Sequence, residues 1–302
     1  MDKILASEEM IELSRRYSRG EGLEPTSIPE LQISYSTAPT SPIHTVYRPC
    51  FCLILQGEKD VTLESKTYSY GPEQYLVSSI DLPVTGQVTR ASKKLPYLCL
   101  VIEIKPETVY EILAQNPSLV SSSHSKAIYT ERVTTELLDA SLRLLRTLKN
   151  DADREILSAG VLREITYRLL SSPYSETIRQ LGIAGSQMQR ISKVIDHLNR
   201  NYAKLLRMED LARIAHMSAS GFHQHFKSIT QMSPLQYQKR IRLQEARRML
   251  STETADASSV AFKVGYESAS QFSREYTRMF GRPPMSDMKF QRKSVKTKVR
   301  TL

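Results

Sequence analysis

The C-terminal third of the chain contains the stretch that decides its fold. It reads MEDLARIAHMSASGFHQHFKSIT at residues 208–230 and ASSVAFKVGYESASQFSREYTRMF at residues 257–280. In each half, apolar residues at helical spacing flank a short turn, which is typical of a helix-turn-helix. Ser218 and Ser268 stand where each second helix begins, and serine is a favoured N-cap. The pattern predicts helix-turn-helix motifs at 208–229 and 257–280, and two such motifs in tandem favour binding to duplex DNA.

A single long helix is predicted between the two motifs. Ser233 and Pro234 are typical of a helix start, as N-cap and first helical residue. The apolar stripe of this helix comprises Leu243, Ala246, Met249 and Leu250. A helix of about 17 residues is roughly 25 Å long. Two helices that read one face of B-DNA lie roughly 34 Å apart. The linking helix is long enough to join them if they project outward from it or if the DNA bends.

Positive charge is concentrated in the same third of the chain. Residues 190–302 contain 22 Lys and Arg against 9 Asp and Glu, a net charge of +13. Residues 1–189 contain 20 basic and 23 acidic residues, a net charge of −3. An excess confined to one domain favours binding to a polyanion, because each neutralised phosphate releases counterions.

The N-terminal half has a different pattern. Short runs rich in β-branched and aromatic residues, separated by turn signals, extend over about 28–104 and predict an antiparallel sandwich or small barrel. Helical spacing follows over about 134–170, with Leu157, Val161, Ile165 and Leu169 on one stripe. These two helices could pack on the barrel or form a dimer seam. The predicted fold is α+β, with an N-terminal domain of β-strands followed by helices and a C-terminal all-α domain.

This organisation predicts four segments. Residues 1–182 form a domain of strands followed by helices, and 183–189 form a linker. Residues 190–290 form the DNA-binding domain, and 291–302 form a basic tail. No apolar run reaches the roughly 20 residues that span a bilayer, and the first residues have no secretory pattern. The odd number of cysteines, 3, argues against a disulfide framework. We therefore expect a cytoplasmic protein that associates with the nucleoid when bound to DNA.

The C-terminal segments resemble the DNA-binding domain of the AraC/XylS family along nearly its whole length. The matching stretches are Ile191–Leu198, Met208–Lys227, Ser233–Tyr237, Arg242–Leu250, Val260–Ser268, Ser270–Tyr276 and Phe280–Pro284. The first half is similar to the N-terminal domain of one AraC-type subgroup, through Tyr47–Pro49, Leu53–Gly57, Tyr75–Gly86, Pro96–Leu98 and Glu164–Leu170. The resemblance implies a transcription regulator with a cupin-like effector or dimerisation domain.

The resemblance also implies which side chains contact DNA. The base-reading positions of the two second helices match Ser220, His223, Gln224, Ala269, Ser270, Gln271 and Arg274. Arg can bond guanine and Gln can bond adenine, so these residue types suit base recognition. We expect contacts with the DNA backbone from Ser218, Lys227 and Arg278. The chain departs from relatives at two positions, where Gln224 replaces a frequent Arg and Ala269 replaces a frequent Pro.

Two other classes of function compete with DNA-dependent regulation. A metal-dependent cupin enzyme needs a His cluster, but the N-terminal half has only His44 and His124, far apart in sequence. His223 and His225 are two apart on a helix and do not converge on one ion. We therefore expect no catalytic site, metal or cofactor. A sequence-indifferent nucleoid protein remains an alternative. Double-stranded promoter DNA, RNA polymerase, a small-molecule effector of unknown identity and a second copy of the chain are the expected partners; we expect no membrane association.

The three cysteines lie in apolar, strand-like runs. Cys50 and Cys52 are two apart, so both face the same side of a strand. All three, with Cys99, are predicted to be small buried core residues. The alternative is that Cys50 or Cys52 senses an electrophile or oxidant, which requires an accessible thiolate.

Overall fold

The computed structural model describes residues 3–18, 20–119, 126–173, 175–252 and 256–290. The chain divides into two compact units, the first formed by Met1–Ser192 with Ser228–Gln231 and the second by Lys193–Lys227 with Met232–Leu302. The predicted domain boundaries stay predictions, and the predicted basic tail at 291–302 lies outside the described residues. None of the described helices is both long and apolar enough to cross a membrane.

The N-terminal unit contains two antiparallel sheets within the described residues. The strands are numbered in chain order, and neighbours in each series below are hydrogen-bonded to each other. The first sheet consists of β1 (Gly22–Pro25), β2 (Leu31–Ser36), β9 (Tyr97–Glu103), β4 (Cys50–Gln56), β7 (Gln74–Ser78) and β10 (Ile128–Arg132). The second consists of β3 (Ile43–Tyr47), β8 (Leu82–Arg90), β5 (Glu58–Leu63) and β6 (Lys66–Tyr70). The predicted strands of 28–104 and the α+β class are thereby confirmed.

The N-terminal unit also contains helices. They are α1 (Lys3–Tyr17), α2 (Pro106–Gln115), α3 (Thr135–Thr147), α4 (Asp151–Leu170) and α5 (Glu176–Gly182). Helix α1 contacts α3, β4 and β9. Residues Cys50–Leu55 of β4 are buried on both faces, and the sequence of this strand is accordingly one continuous apolar run.

The predicted helices of 134–170 are confirmed, but the predicted stripe of α4 is wrong at one end. Val161, Ile165 and Leu169 are buried, whereas Leu157 is 50% exposed and the adjacent Ile156 is 75% exposed. The first turns of α4 extend beyond the surface that buries the rest of the helix. Helical periodicity identifies which residues share a face, but it does not show how far the opposing surface reaches.

The C-terminal unit is helical over the described residues. Its helices are α6 (Gln187–Arg200), α7 (Met208–Ile214), α8 (Ala219–Thr230), α9 (Pro234–Thr252), α10 (Ala257–Lys263) and α11 (Ala269–Phe280). The first residues of α6 and the last residues of α8 belong to the N-terminal unit. Residues 284–290 are also helical. The pairs α7–α8 and α10–α11 are the two predicted helix-turn-helix motifs, and α9 is the predicted linking helix.

The last described helix is fixed to the second motif by a buried carboxylate. Asp287 is 2% exposed and accepts hydrogen bonds from Arg247 Nε at 2.8 Å and Nη2 at 3.0 Å. Tyr276 also donates its hydroxyl hydrogen to this carboxylate, at 2.9 Å. A buried carboxylate is stable only when it is paired and hydrogen-bonded, and this network satisfies both conditions.

Candidate nucleic-acid interface

Each motif presents a second helix with a serine cap. The Ser218 hydroxyl oxygen accepts a hydrogen bond from the Gly221 amide at 3.2 Å, at the start of α8. The Ser268 hydroxyl oxygen accepts one from the Gln271 amide at 3.3 Å, at the start of α11. The sequence predicted both caps, because serine there satisfies an amide that the helix leaves unpaired. Ser218, predicted to contact the DNA backbone, therefore also begins the helix.

Buried aromatic pairs fix which face of each second helix points outward. Phe222 and Phe226 of α8 stack edge to face, with ring centroids 5.6 Å apart, and both are fully buried. Phe272 and Tyr276 of α11 form the corresponding pair at 5.5 Å. In both helices the pair is separated by four residues, which places both rings on the same face. The residues between the rings therefore lie on the outer faces.

The outer face of α8 holds the first predicted group. Ser220, His223, Gln224 and Lys227 are all exposed. The helix contains no Asp or Glu anywhere in its sequence ASGFHQHFKSIT. An acid-free surface of donors and one cation is suited to a groove lined by phosphates.

The outer face of α11 holds the second group. Ser270, Gln271, Arg274 and Arg278 are exposed, while Ala269 is half-buried. Arg274 has no hydrogen-bond or ion-pair partner among the described residues. Its guanidinium is therefore available to a ligand without first breaking an internal contact.

One member of this group is already engaged within the protein. Gln271 Nε2 donates a hydrogen bond to Glu275 Oε1 at 3.1 Å. Glu275 also accepts bonds from Lys239 at 2.8 Å and from the Tyr266 hydroxyl at 2.8 Å. Partial burial opposes ionisation of Glu275, but the bonds from Lys239 and Tyr266 outweigh it and hold its pKa below the ordinary value. The acid on α11 is thus neutralised by the protein itself.

The turns of the two motifs have the same left-handed backbone but different residues. His216 has a φ of 51° and Gly265 has a φ of 93°. A Cβ on Gly265 would lie 2.1 Å from the carbonyl oxygen of Ala203, a distance that no side chain tolerates. The second turn therefore requires glycine because of a neighbouring backbone segment, and its φ alone would not exclude another residue.

An arginine of α9 holds this region together. Arg242 donates hydrogen bonds to the carbonyl oxygens of Tyr202 at 2.7 Å, Gly265 at 2.7 Å, Lys204 at 3.0 Å and Ala203 at 3.3 Å. Partial burial lowers its pKa from the ordinary value, although the guanidinium stays charged. This guanidinium thus links the linking helix to the segment that precedes the first motif and to the turn of the second motif. No sequence signal distinguished Arg242 from the other arginines of α9.

Comparison with known proteins agrees with this geometry. The family model described as "AraC-type transcriptional regulator N-terminus" matches residues 27–177, half of the 302-residue chain, and the model described as "Helix-turn-helix domain" matches residues 211–289. The chain belongs to the AraC family of transcription regulators.

Individual relatives cover different shares of this AraC-family chain. The RCS-specific transcriptional activator RclR of Escherichia coli is 37% identical over 95 residues, which are 32% of this chain and only 34% of that relative. The lactose operon transcription activator of Staphylococcus xylosus is 22% identical over 261 residues, 84% of this chain and 85% of the relative. The structure of ToxT from Vibrio cholerae has a TM-score of 0.56 at 13% identity, covering 86% of this chain and 98% of ToxT. The last match supports the fold alone.

The N-terminal unit of this AraC-family chain buries the three thiols. Cys50, Cys52 and Cys99 are at most 6% exposed, and the sulfur atoms of Cys50 and Cys52 lie 3.7 Å apart. The Cys50 thiol and burial raise the pKa of Cys52 well above its ordinary value, and burial does the same for Cys99. Burial and the raised pKa values oppose thiolate formation, so they favour the predicted structural role of these cysteines over the sensing alternative.

In the described part of the N-terminal half, the one histidine, His44, lies beside a hydroxyl group. His44 Nδ1 is 2.9 Å from the Thr85 hydroxyl oxygen, and His124 lies outside the described residues. Within the described part of the chain, no group of three His, Cys, Asp or Glu side chains converges as a metal site would require.

Proposed function

We propose that the chain is a sequence-specific regulator that inserts α8 and α11 into successive major-groove segments of promoter DNA. The observation that carries this proposal is the pair of exposed faces on the two second helices. One face has no acid, and the other has a single glutamate, whose charge Lys239 balances in an ion pair. A helix entering the major groove must present donors to bases and no uncompensated negative charge to the flanking phosphates.

Individual roles follow from exposure and chemistry. Base contacts are assigned to Ser220, His223, Gln224, Ala269, Ser270, Gln271 and Arg274, and contacts with the DNA backbone to Ser218, Lys227 and Arg278. Arg274 is the strongest candidate for a base contact. Its guanidinium is exposed and has no partner among the described residues, so it can bond O6 and N7 of guanine. Gln271 must exchange its hydrogen bond with Glu275 for one with a base.

The N-terminal unit supplies the regulatory input in this proposal. It binds a small molecule, and binding changes transcription by favouring one arrangement of the DNA-binding units over another. Similar proteins support a small-molecule input. ToxT structures contain an unsaturated fatty acid or a butenoic acid derivative, and another similar protein is named for the lactose operon. We assign the chain no catalytic role, because its relatives are transcription regulators.

Assembly and location complete the proposal. A second copy of the chain covers the exposed start of α4, where Ile156 and Leu157 border a shallow apolar groove together with Gly160. RNA polymerase is the partner through which binding changes transcription. The protein acts in the cytoplasm, on the nucleoid.

The test is recovery and sequencing of genomic DNA fragments with purified full-length protein at near-physiological salt. We expect sharp peaks that share two short half-sites about one helical turn apart. Arg274→Ala should lower affinity for that site by about 1–3 kcal/mol while non-specific binding stays nearly constant. Arg90→Ala is the matched control, since it removes another exposed guanidinium, from the N-terminal unit. Diffuse recovery without a motif would instead support a sequence-indifferent nucleoid protein.

A further inference from the structure

A lysine occupies an inward-facing position in the second sheet. Side chains alternate along β5, so Lys59 shares a face with Val61 and Leu63, both of which are 0% exposed. The register places Lys59 directly opposite Tyr70 of β6, which is 3% exposed. Lys59 itself is half-buried, at the end of this apolar face. An ammonium on the inner face of a sheet is unfavourable unless something there interacts with it.

Aromatic rings surround this ammonium, but no acid pairs with it. Lys59 Nζ lies 5.5 Å from the ring centroid of Tyr47 and 5.9 Å from that of Tyr97. The glycine at position 86 leaves room for the side chain, because a Cβ there would lie 3.1 Å from Lys59 Cε. Among the described residues no carboxylate forms an ion pair with Lys59. The titratable groups beside the ammonium are tyrosine and cysteine side chains, and one of them, Tyr47, forms a hydrogen bond with it. These groups are neutral at physiological pH, so they do not balance its charge.

Two buried hydroxyl groups near this ammonium lack strong partners. Among the described residues the Tyr70 hydroxyl has no hydrogen-bond partner, and the Tyr97 hydroxyl meets only the Cys99 thiol, a weak acceptor. Nearly all buried polar groups in proteins are hydrogen-bonded, so two such hydroxyls beside one unbalanced ammonium are unusual. The two hydroxyls can each donate a hydrogen bond, and the ammonium needs an opposite charge. The site is thus complementary to an acceptor that carries negative charge.

We infer that Lys59, Tyr70 and Tyr97 form the receptor for the carboxylate of a small organic acid with an apolar or aromatic body. One ammonium balances one negative charge, which fits a monocarboxylate better than a phosphate dianion. The half-buried ring of Tyr47, beside the ammonium, provides an apolar surface for the remainder of the ligand. This inference rests on the proposed function, in which the N-terminal unit senses a small molecule, and it gives the chemical class of that molecule.

The test measures the melting temperature of the full-length protein with benzoate and hexanoate. Matched probes are benzamide, hexanamide and inorganic phosphate. We expect saturable stabilisation by one or both carboxylates and none by the amides or phosphate. Lys59→Met should abolish that stabilisation and should raise the melting temperature of the ligand-free protein, because it removes an unbalanced charge from the inner face of the sheet. Tyr70→Phe should weaken carboxylate binding about tenfold while the fold is retained, since it removes one hydrogen bond to a charged group.

Lys66→Met is the matched control. Lys66 is exposed, and its Nζ also lies over a tyrosine ring, 4.6 Å from the centroid of Tyr68. This variant should respond to carboxylates as the parent protein does. The inference is overturned if Lys59→Met responds like the parent, if phosphate or the amides stabilise equally, or if neither carboxylate has an effect. DNA binding of ligand-free Lys59→Met is measured in parallel, so a failure of the DNA-binding proposal is recognised separately.

Discussion

The contact between Gly265 and Ala203 gives the most direct test of how the DNA-binding unit is assembled. We predict that Gly265→Ala strongly destabilises the second helix-turn-helix motif. A methyl group at this position meets the carbonyl oxygen of Ala203 at 2.1 Å. That oxygen belongs to the segment held by Arg242, so it cannot move without disturbing the hydrogen bonds of the guanidinium.

The expected magnitude combines three contributions. The left-handed backbone costs a residue with a side chain about 1–2 kcal/mol. Alanine recovers about 0.4–1 kcal/mol by restricting the unfolded chain. Displacing the carbonyl oxygen disrupts at least one hydrogen bond to a charged group, worth about 1.5–3 kcal/mol. The sum is a destabilisation of about 3 kcal/mol, which corresponds to roughly two orders of magnitude in the opening equilibrium.

Hydrogen exchange followed by mass spectrometry measures this opening in the full-length protein. Peptides from α10 and α11 should exchange roughly a hundredfold faster, while peptides from α3 in the N-terminal unit serve as an internal reference. Gly281→Ala is the matched control. Gly281 has a φ of 74°, but a Cβ there meets nothing within 4 Å. Gly281→Ala should destabilise the motif by only about 1 kcal/mol, because the left-handed backbone conformation is the one unfavourable contribution.

The two variants differ only in whether the new methyl group meets a neighbour. Equal acceleration of exchange in Gly265→Ala and Gly281→Ala would refute the reasoning, because it would mean that the contact with Ala203 adds nothing. The first motif shows that a positive φ can hold a side chain in such a turn, since His216 has a φ of 51°.

Two further predictions concern the titratable groups. Because the folded-state pKa of Glu275 is lowered, its stabilising effect is present above the ordinary pKa of 4.5 and is lost as the pH falls through the folded value. Glu275→Gln should therefore be less stable than the parent at pH 7, and denaturant titrations should show this gap closing below about pH 4.5. Cys50, Cys52 and Cys99 should not react with Ellman's reagent in the native protein and should all react after unfolding; rapid native labelling of even one would contradict the buried arrangement.

Much of the DNA-binding surface could be predicted from local sequence. The caps at Ser218 and Ser268 and the aromatic pairs such as Phe222 with Phe226 depend on residues three or four apart. Helical geometry converts that spacing directly into a buried face and an exposed face. The sequence therefore specified both helix-turn-helix motifs and the exposure of Arg274, although its role at the bases stays a prediction.

Tertiary structure alone decided the features that join distant segments. Arg242 contacts carbonyl oxygens up to 40 residues away, and its sequence context resembles that of its neighbouring arginines. No local sequence pattern distinguishes Lys59, but the register opposite Tyr70 places it on the inner face of the sheet. Leu157 fits a buried stripe, yet the described residues leave it 50% exposed. Periodicity is a property of a few consecutive residues, whereas register, close backbone contacts and the extent of an opposing surface arise only when separate segments pack together.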